Sequence, residues 1–236
     1  MSQIKERPIL FSAPMVRAIQ DGRKTVTRRP VKGSALKWLE EFAPEFVALS
    51  ANELCPFGQI GERLWVRETW YCDHFEVQKG PYLQPADMHD LDQSREDGEL
   101  VYAADGLAPY EQEQPTWKPS IHMPRWACRI LLEITDLRVE RLQDISDEQA
   151  QAEGCFFTDY GRKCGHSGKG WTEVGDCPAP KEHHPQRDGW MWDKTTSHEQ
   201  CLGAPRWAFG NLWNSTGGDW DANPWVWVVE FKRVTP

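Results

Sequence analysis

The sequence predicts a small mixed α+β barrel formed by one chain-long domain, and three observations predict it. Segments with strand character recur from end to end, roughly five to seven of them by composition and turn spacing. The helical segments are short and fall between non-adjacent strands, without the βαβ alternation of a parallel sheet. No glycine-rich phosphate loop follows a strand, which argues against a nucleotide-binding α/β sheet.

In chain order, Ile9-Leu10-Phe11-Ser12 reads as a short strand. Ala13 to Asp21 reads as a helix, with Ser12 as cap, Pro14 in the first turn and Gly22 as stop. The β-branched and basic stretch Thr25 to Val31 predicts a strand that Pro30 weakens. Residues 33–55 read as a helical insertion, Gly58 to Gly61 as a turn and Leu64 to Trp70 as a strand. Residues 72–98 are polar and aperiodic and read as a long loop. Glu99 to Ala103 and Ala127 to Leu142 read as strands, the second long or bent. Ser146 to Gly154 reads as a helix with a capping box between Ser146 and Gln149. Residues 155–205 hold Gly, Pro, Cys and His with few aliphatics and read as an insertion without a core of its own. A helix over Arg206 to Trp213 follows, and Trp225 to Lys232 is the clearest strand in the chain. The expected organisation is thus a single domain over 1–236 with insertions at about 33–55, 72–118 and 155–205.

Composition narrows the class. The 236 residues are 39% hydrophobic and 27% charged, a globular balance in which 13 Trp offset a shortage of aliphatics. No run approaches the roughly 18 apolar residues of a membrane helix, and the N-terminus lacks the pattern of a secretory signal. No membrane partner and a cytoplasmic location are therefore expected. The seven cysteines are odd in number and widely spaced, which argues for free thiols over a disulfide framework. The net charge of −9 disfavours non-specific binding of long duplexes. Yet residues 1–32 carry Lys5, Arg7, Arg17, Arg23, Lys24, Arg28, Arg29 and Lys32 against Glu6 and Asp21. A local basic patch on an acidic body suits one anionic ligand or a short strand.

The segment Gly22-Arg23-Lys24-Thr25-Val26-Thr27-Arg28-Arg29 resembles the ASCH signature Gly-x-Lys-x-x-Glu-x-Arg, with Gly22, Lys24 and Arg29 in place and Thr27 where the Glu would stand. Thr at that position is the form found in the small bacterial amidohydrolases that remove the acyl group from N4-acetylcytidine. Three further blocks follow in order: Gly61-Glu62-Arg63-Leu64-Trp65-Val66, then Leu132 to Gly154 with Glu133-Ile134-Thr135 and a helix ending at Glu153, then Trp227 to Lys232. The resemblance covers less than half of the chain. It implies a PUA-like (ASCH) β-barrel, here enlarged by insertions of the kind frequent in phage and prophage ASCH proteins.

The resemblance also implies a site. Lys24, Thr27 and Glu153 match the Lys, Thr and Glu of the amidohydrolases. Amide hydrolysis needs a nucleophile, a proton carrier and a donor for the oxyanion. A lysine whose pKa is lowered by burial or cationic neighbours can take the threonine proton, and Glu153 can shuttle a proton or orient Lys24. Arg23, Arg28, Arg29, Arg67 and Glu68 are the substrate-binding candidates. In a regular strand, positions 24 and 27 face opposite ways, so the two converge only if Lys24 sits on the turn after Gly22 and Thr27 begins the strand. Without the resemblance, a Lys and a Thr beside a turn read as solvated or strand-forming.

The expected activity is removal of an acyl group from the exocyclic N4 amide of a modified cytosine, as base, nucleoside or nucleotide, with no catalytic metal or cofactor. The rival readings are a passive module that binds RNA, single-stranded nucleic acid or a modified base, and an ASCH-type ribonuclease; an open groove lined with Arg17, Arg28 and Lys32 would favour these. A separate set, Cys164, His166, Cys177 and His183, has residue types that ligate a structural zinc, with surface thiols and histidines as the alternative. Of Trp65, Trp70, Trp117, Trp126, Trp225 and Trp227, most should be core, with one or two at a ligand.

Overall fold

The computed structural model describes residues 4–80, 83–106, 116–166, 168, 170–175 and 177–235. The protein is α+β. In chain order its elements are β1 (Glu6–Leu10), α1 (Ala13–Gln20), β2 (Val26–Pro30), α2 (Gly33–Trp38), α3 (Pro44–Val47), β3 (Arg63–Arg67), β4 (Trp70–Cys72), α4 (Phe75–Lys79), α5 (Leu91–Glu96) and β5 (Leu100–Tyr102). There follow β6 (Leu131–Arg141), α6 (Asp147–Ala152), β7 (Phe156–Cys164), β8 (Thr172–Glu173), β9 (Gln186–Met191), α7 (Pro205–Ser215) and β10 (Trp225–Val234). They fall into two compact units, Met1–Leu142 with Pro224–Pro236, and Gln143–Asn223.

The first unit is organised by a five-stranded sheet in the order β1-β3-β6-β10-β2. β10 pairs antiparallel with β6 on one side and with β2 on the other, so the last strand lies beside the strand that follows Gly22. Its central position explains its composition: Val226, Trp227, Val228 and Val229 are all buried. Thr135 is passed over where β6 and β10 shift register between Glu230 and Phe231, a bulge that bends the pair. β1 and β2 stand at the two edges of this sheet. A side chain spans them: the Arg29 guanidinium on β2 donates to the Leu10 carbonyl of β1 at 2.6 Å and lies 5.2 Å over the Phe11 ring.

Ile9, Phe11, Val16, Ile19, Leu64, Val66, Ile134, Trp227, Val229 and Phe231 form the main core of this unit. A second core gathers Trp70, Cys72, Val77, Met88, Leu100, Tyr102 and Met123 around the β4–β5 ladder. This core corrects the reading of residues 72–98 as a long loop. Two short helices, α4 and α5, lie there, the first capped by the His74 ring and the second by the Asp90 carboxylate, and Val77 and Met88 are buried beneath them. Part of the expected 72–118 insertion, residues 107–115, lies outside the described residues. Trp70 and Trp227 are core residues, as alternating strand tryptophans should be. All seven cysteines are free; burial pushes the Cys55 and Cys72 thiols up to about 11, which leaves them unreactive near neutrality.

The second unit contains α6, the antiparallel sheet β8-β7-β9 and α7. The expected insertion at about 155–205 lies inside it, and the unit also takes in the helices on either side. Its ends are clasped together: the Gln143 backbone amide donates to Asn223 Oδ1 at 2.8 Å and the Gln143 side chain to the Trp220 carbonyl at 2.9 Å. The capping box read from the sequence is present, with Ser146 and Gln149 exchanging side-chain to backbone bonds. Ser146→Ala should therefore cost about 1 kcal/mol, read as a lower urea midpoint, while Ser146→Asp should retain most of it. Equal losses for both variants would show that the cap contributes nothing.

Candidate functional site

Beyond the Asp21 cap of α1, Gly22 adopts φ +71, a conformation that favours glycine. The amides of Arg23 and Lys24 both donate to the Ala18 carbonyl at 2.9 Å, so the chain folds back and Lys24 sits on the turn while β2 begins at Val26. This is the bend that the Lys24 and Thr27 spacing requires. Lys24 is only 2% exposed; its ammonium donates to the Val26 carbonyl at 2.8 Å and lies 5.7 Å from the Phe11 ring centre. Thr27, 3% exposed, pairs with Val229 in the β2–β10 ladder. The solvated reading of these two side chains is thereby excluded.

Among the described residues, the buried polar or charged side chains are Lys24, Thr27, Arg28, Glu68, Ser94, Glu153 and His184. The three positions picked out by the resemblance are all in this group, and so are Arg28 and Glu68. Glu153 lies in the second unit as the C-terminal cap residue of α6. A carboxylate at that helix end meets outward-facing carbonyls.

The substrate-binding candidates have distinct surroundings. Arg28 is buried on β2 and donates to Glu140 at 3.2 Å; the other Glu140 oxygen accepts from Arg138, which also binds Asp136 and Glu230. Arg23 is bonded to Asp21 at 2.9 Å. Arg67 donates to the Ile121 carbonyl and lies 5.3 Å over Trp65. Glu68 does not pair with Arg67. Both its oxygens, at 2.9 Å, accept from Arg129, whose guanidinium also binds Asp105 and lies 3.9 Å over the Tyr102 ring. Burial pushes the Glu68 carboxyl up, against the opposing pull of Arg129. Burial also opposes the charge on Arg129, but the two carboxylates outweigh it and raise its pKa. Burial takes Tyr102 up to about 12, and its hydroxyl is fixed by the Ala127 carbonyl at 2.6 Å.

Arg129 was not legible as a partner of Glu68, since 61 residues separate them. It also lines an open groove of about 860 Å³ with Arg95, Arg125, Trp126, Arg233, Asp90 and Asp92. Lys24 and Thr27 are not among the groove's lining residues.

In the second unit, the expected metal-ligating residues come together with one exchange. Cys164, His166, Cys177 and His184 each offer a ligand atom within 4.8 Å of the others. His183, chosen from the sequence, is exposed, and its ring centre stands 6.2 Å from that of His166. Its neighbour His184 is the buried one.

No helix among the described residues is long and apolar enough to cross a membrane. Comparison with protein-family models, with curated proteins and with solved structures gives no match for this chain.

Proposed function

We propose that the protein is an enlarged PUA-like barrel of ASCH type that hydrolyses the exocyclic N4 amide of an acylated cytosine, with Thr27 as nucleophile and Lys24 as its base. The observation that carries this reading is the burial of Lys24 and Thr27 on either side of the turn into β2. Lysine is almost never buried so completely unless its amine has a task or a partner. The link across the sheet edges from Arg29 to Leu10 supports the barrel. Attack of the Thr27 hydroxyl on the acyl carbon forms an ester and breaks the C–N bond. The proton taken by Lys24 reaches the departing amine, with Glu153 assigned to that transfer on the resemblance alone. Water then hydrolyses the ester and releases the carboxylic acid.

The second reading, binding of a short single strand or a modified base without turnover, is favoured by the groove that joins Trp126 to four arginines. Three of these arginines are already ion-paired: Arg95 to Asp92, Arg125 to Glu6, and Arg129 to Glu68 and Asp105. That lowers their net attraction for phosphate.

The purified chain should be screened against N4-acylated cytosine, cytidine and cytidine nucleotides, following the absorbance change on deacylation. Turnover of at least one, absent in Thr27→Val, is the expected result. Binding of nucleosides or RNA with no deacylation of any substrate would establish the second reading in its place.

A further inference from the structure

We propose that Cys164, His166, Cys177 and His184 form a tetrahedral site for a divalent cation of the zinc class, which holds the segment Cys164–His184 in its fold. The geometry is the first support. With metal–ligand bonds of about 2.0 to 2.3 Å, the ligand atoms of a tetrahedral site stand roughly 3.3 to 3.8 Å apart. The sulfurs of Cys164 and Cys177 are 3.7 Å apart, and His166 Nδ1 is 2.8 Å and 3.3 Å from them. The His166 ring is exposed and can open its short edge by a small rotation.

The donor set is the second support. Two thiolates balance the charge of a divalent cation, and two imidazoles complete a soft tetrahedral site. Zinc suits this combination, whereas magnesium and calcium require oxygen ligands. The third is an orphaned atom. His184 is 6% exposed, and its Nε2 is buried with no hydrogen-bond partner among the described residues. A buried polar atom in that state is costly, and a bound cation or the reorientation it brings would satisfy it.

The fourth is the scarcity of apolar burial in this segment among the described residues. Between Gly165 and Pro185, His184 is the only buried residue among those described. Among the described residues the only strand there is the two-residue β8. A segment with so little apolar burial is the kind that a metal clip orders. Around the cluster the backbone is pinned: Gly165 donates to the His183 carbonyl at 2.9 Å and Arg162 to the His184 carbonyl at 2.8 Å. A Cβ at Gly165 would lie 2.8 Å from the ring of half-exposed Trp171, which would have to shift to admit it. These contacts use the backbone carbonyls of His183 and His184 and leave the buried His184 ring for the cluster.

The competing use of this pair is a disulfide. A disulfide needs sulfurs at about 2.05 Å, and it gives no role to two imidazoles gathered on the same point.

The test uses the full chain, reduced and stripped of metal, titrated with cobalt(II) and followed by visible absorption. One cobalt per chain is expected, with the intense d–d bands of a tetrahedral site and a thiolate charge-transfer band. Zinc should displace the cobalt. Cys164→Ser with Cys177→Ser should lose the bands, and His183→Ala should keep them. His184→Ala should weaken binding by roughly 10- to 100-fold or more, since loss of even an outer partner of a ligand costs that much. If the double variant does not fold, the wild-type spectrum still decides. A reduced wild type that takes up neither cobalt nor zinc would overturn the site. Retention by His184→Ala with loss by His183→Ala would overturn the ligand assignment.

Discussion

Arg129→Leu is expected to destabilise the first unit by about 3–5 kcal/mol, the usual cost of leaving a buried charge without its partner. Glu68 has 1% of its side chain exposed, and Arg129 supplies hydrogen bonds to both of its oxygens. Removing the guanidinium strands that carboxylate and also frees Asp105, and it uncovers one face of the Tyr102 ring. The pH dependence gives the sign check. Burial already raises the folded-state pKa of Glu68 above its ordinary value, and without Arg129 that upward push loses its main opposition and meets only the weaker pull of Arg95. A carboxyl raised in the folded state favours folding while it is protonated and loses that contribution as pH rises through its folded pKa. The deficit of Arg129→Leu relative to wild type should therefore be smaller near about pH 5 than near pH 8. Chemical denaturation at the two pH values measures this, and an equal deficit at both would mean that Glu68 finds another cationic partner. Combining Glu68→Leu with Arg129→Leu should recover much of the loss, since a buried pair is often replaceable by apolar residues although neither partner alone is.

The elements that could be read from the sequence were those whose signals are local. Trp225–Val234 is dense in β-branched and aromatic residues because it is buried on both faces between β6 and β2, and Ser146 and Gln149 announce α6 by reciprocal capping. Gly22 marks the end of α1 because the fold-back to Ala18 needs a positive φ. By contrast, α4 and α5 are each at most six residues long, too short for a helical period, and only their caps betray them. Asp90, two and three residues ahead of the amides it binds, was the available signal. In β7 no residue before Cys164 is fully buried, so the strand has no apolar alternation to show. His183 and His184 are adjacent in sequence, and only the turn from Lys181 to His183 decides which ring turns inward. The Glu68–Arg129 pair rests on a tertiary approach that no spacing rule contains.

Lys24 and Thr27 decide the catalytic reading through variants chosen for their burial. Thr27→Val keeps the volume and β-branching that suit β2 and removes only the hydroxyl. Lys24→Met keeps the apolar stem beside Phe11 and removes only the amine. On a substrate found by the acyl-cytosine screen, each should lower kcat by at least about 100-fold, equivalent to about 2.7 kcal/mol of barrier. KM should change less, because neither group is assigned the binding of the base. Thr27→Val should hardly change stability, whereas Lys24→Met should cost about 1–3 kcal/mol, because Lys24 is 2% exposed and its amine donates to the Val26 carbonyl, a buried acceptor that loses this donor. A thermal melt of each variant beside its kcat separates the two roles. Parallel loss of melting temperature and activity in both variants would make these residues architectural. An unchanged kcat in Thr27→Val would remove the nucleophile and leave the groove at Trp126 and Arg129 as the place to look for the ligand.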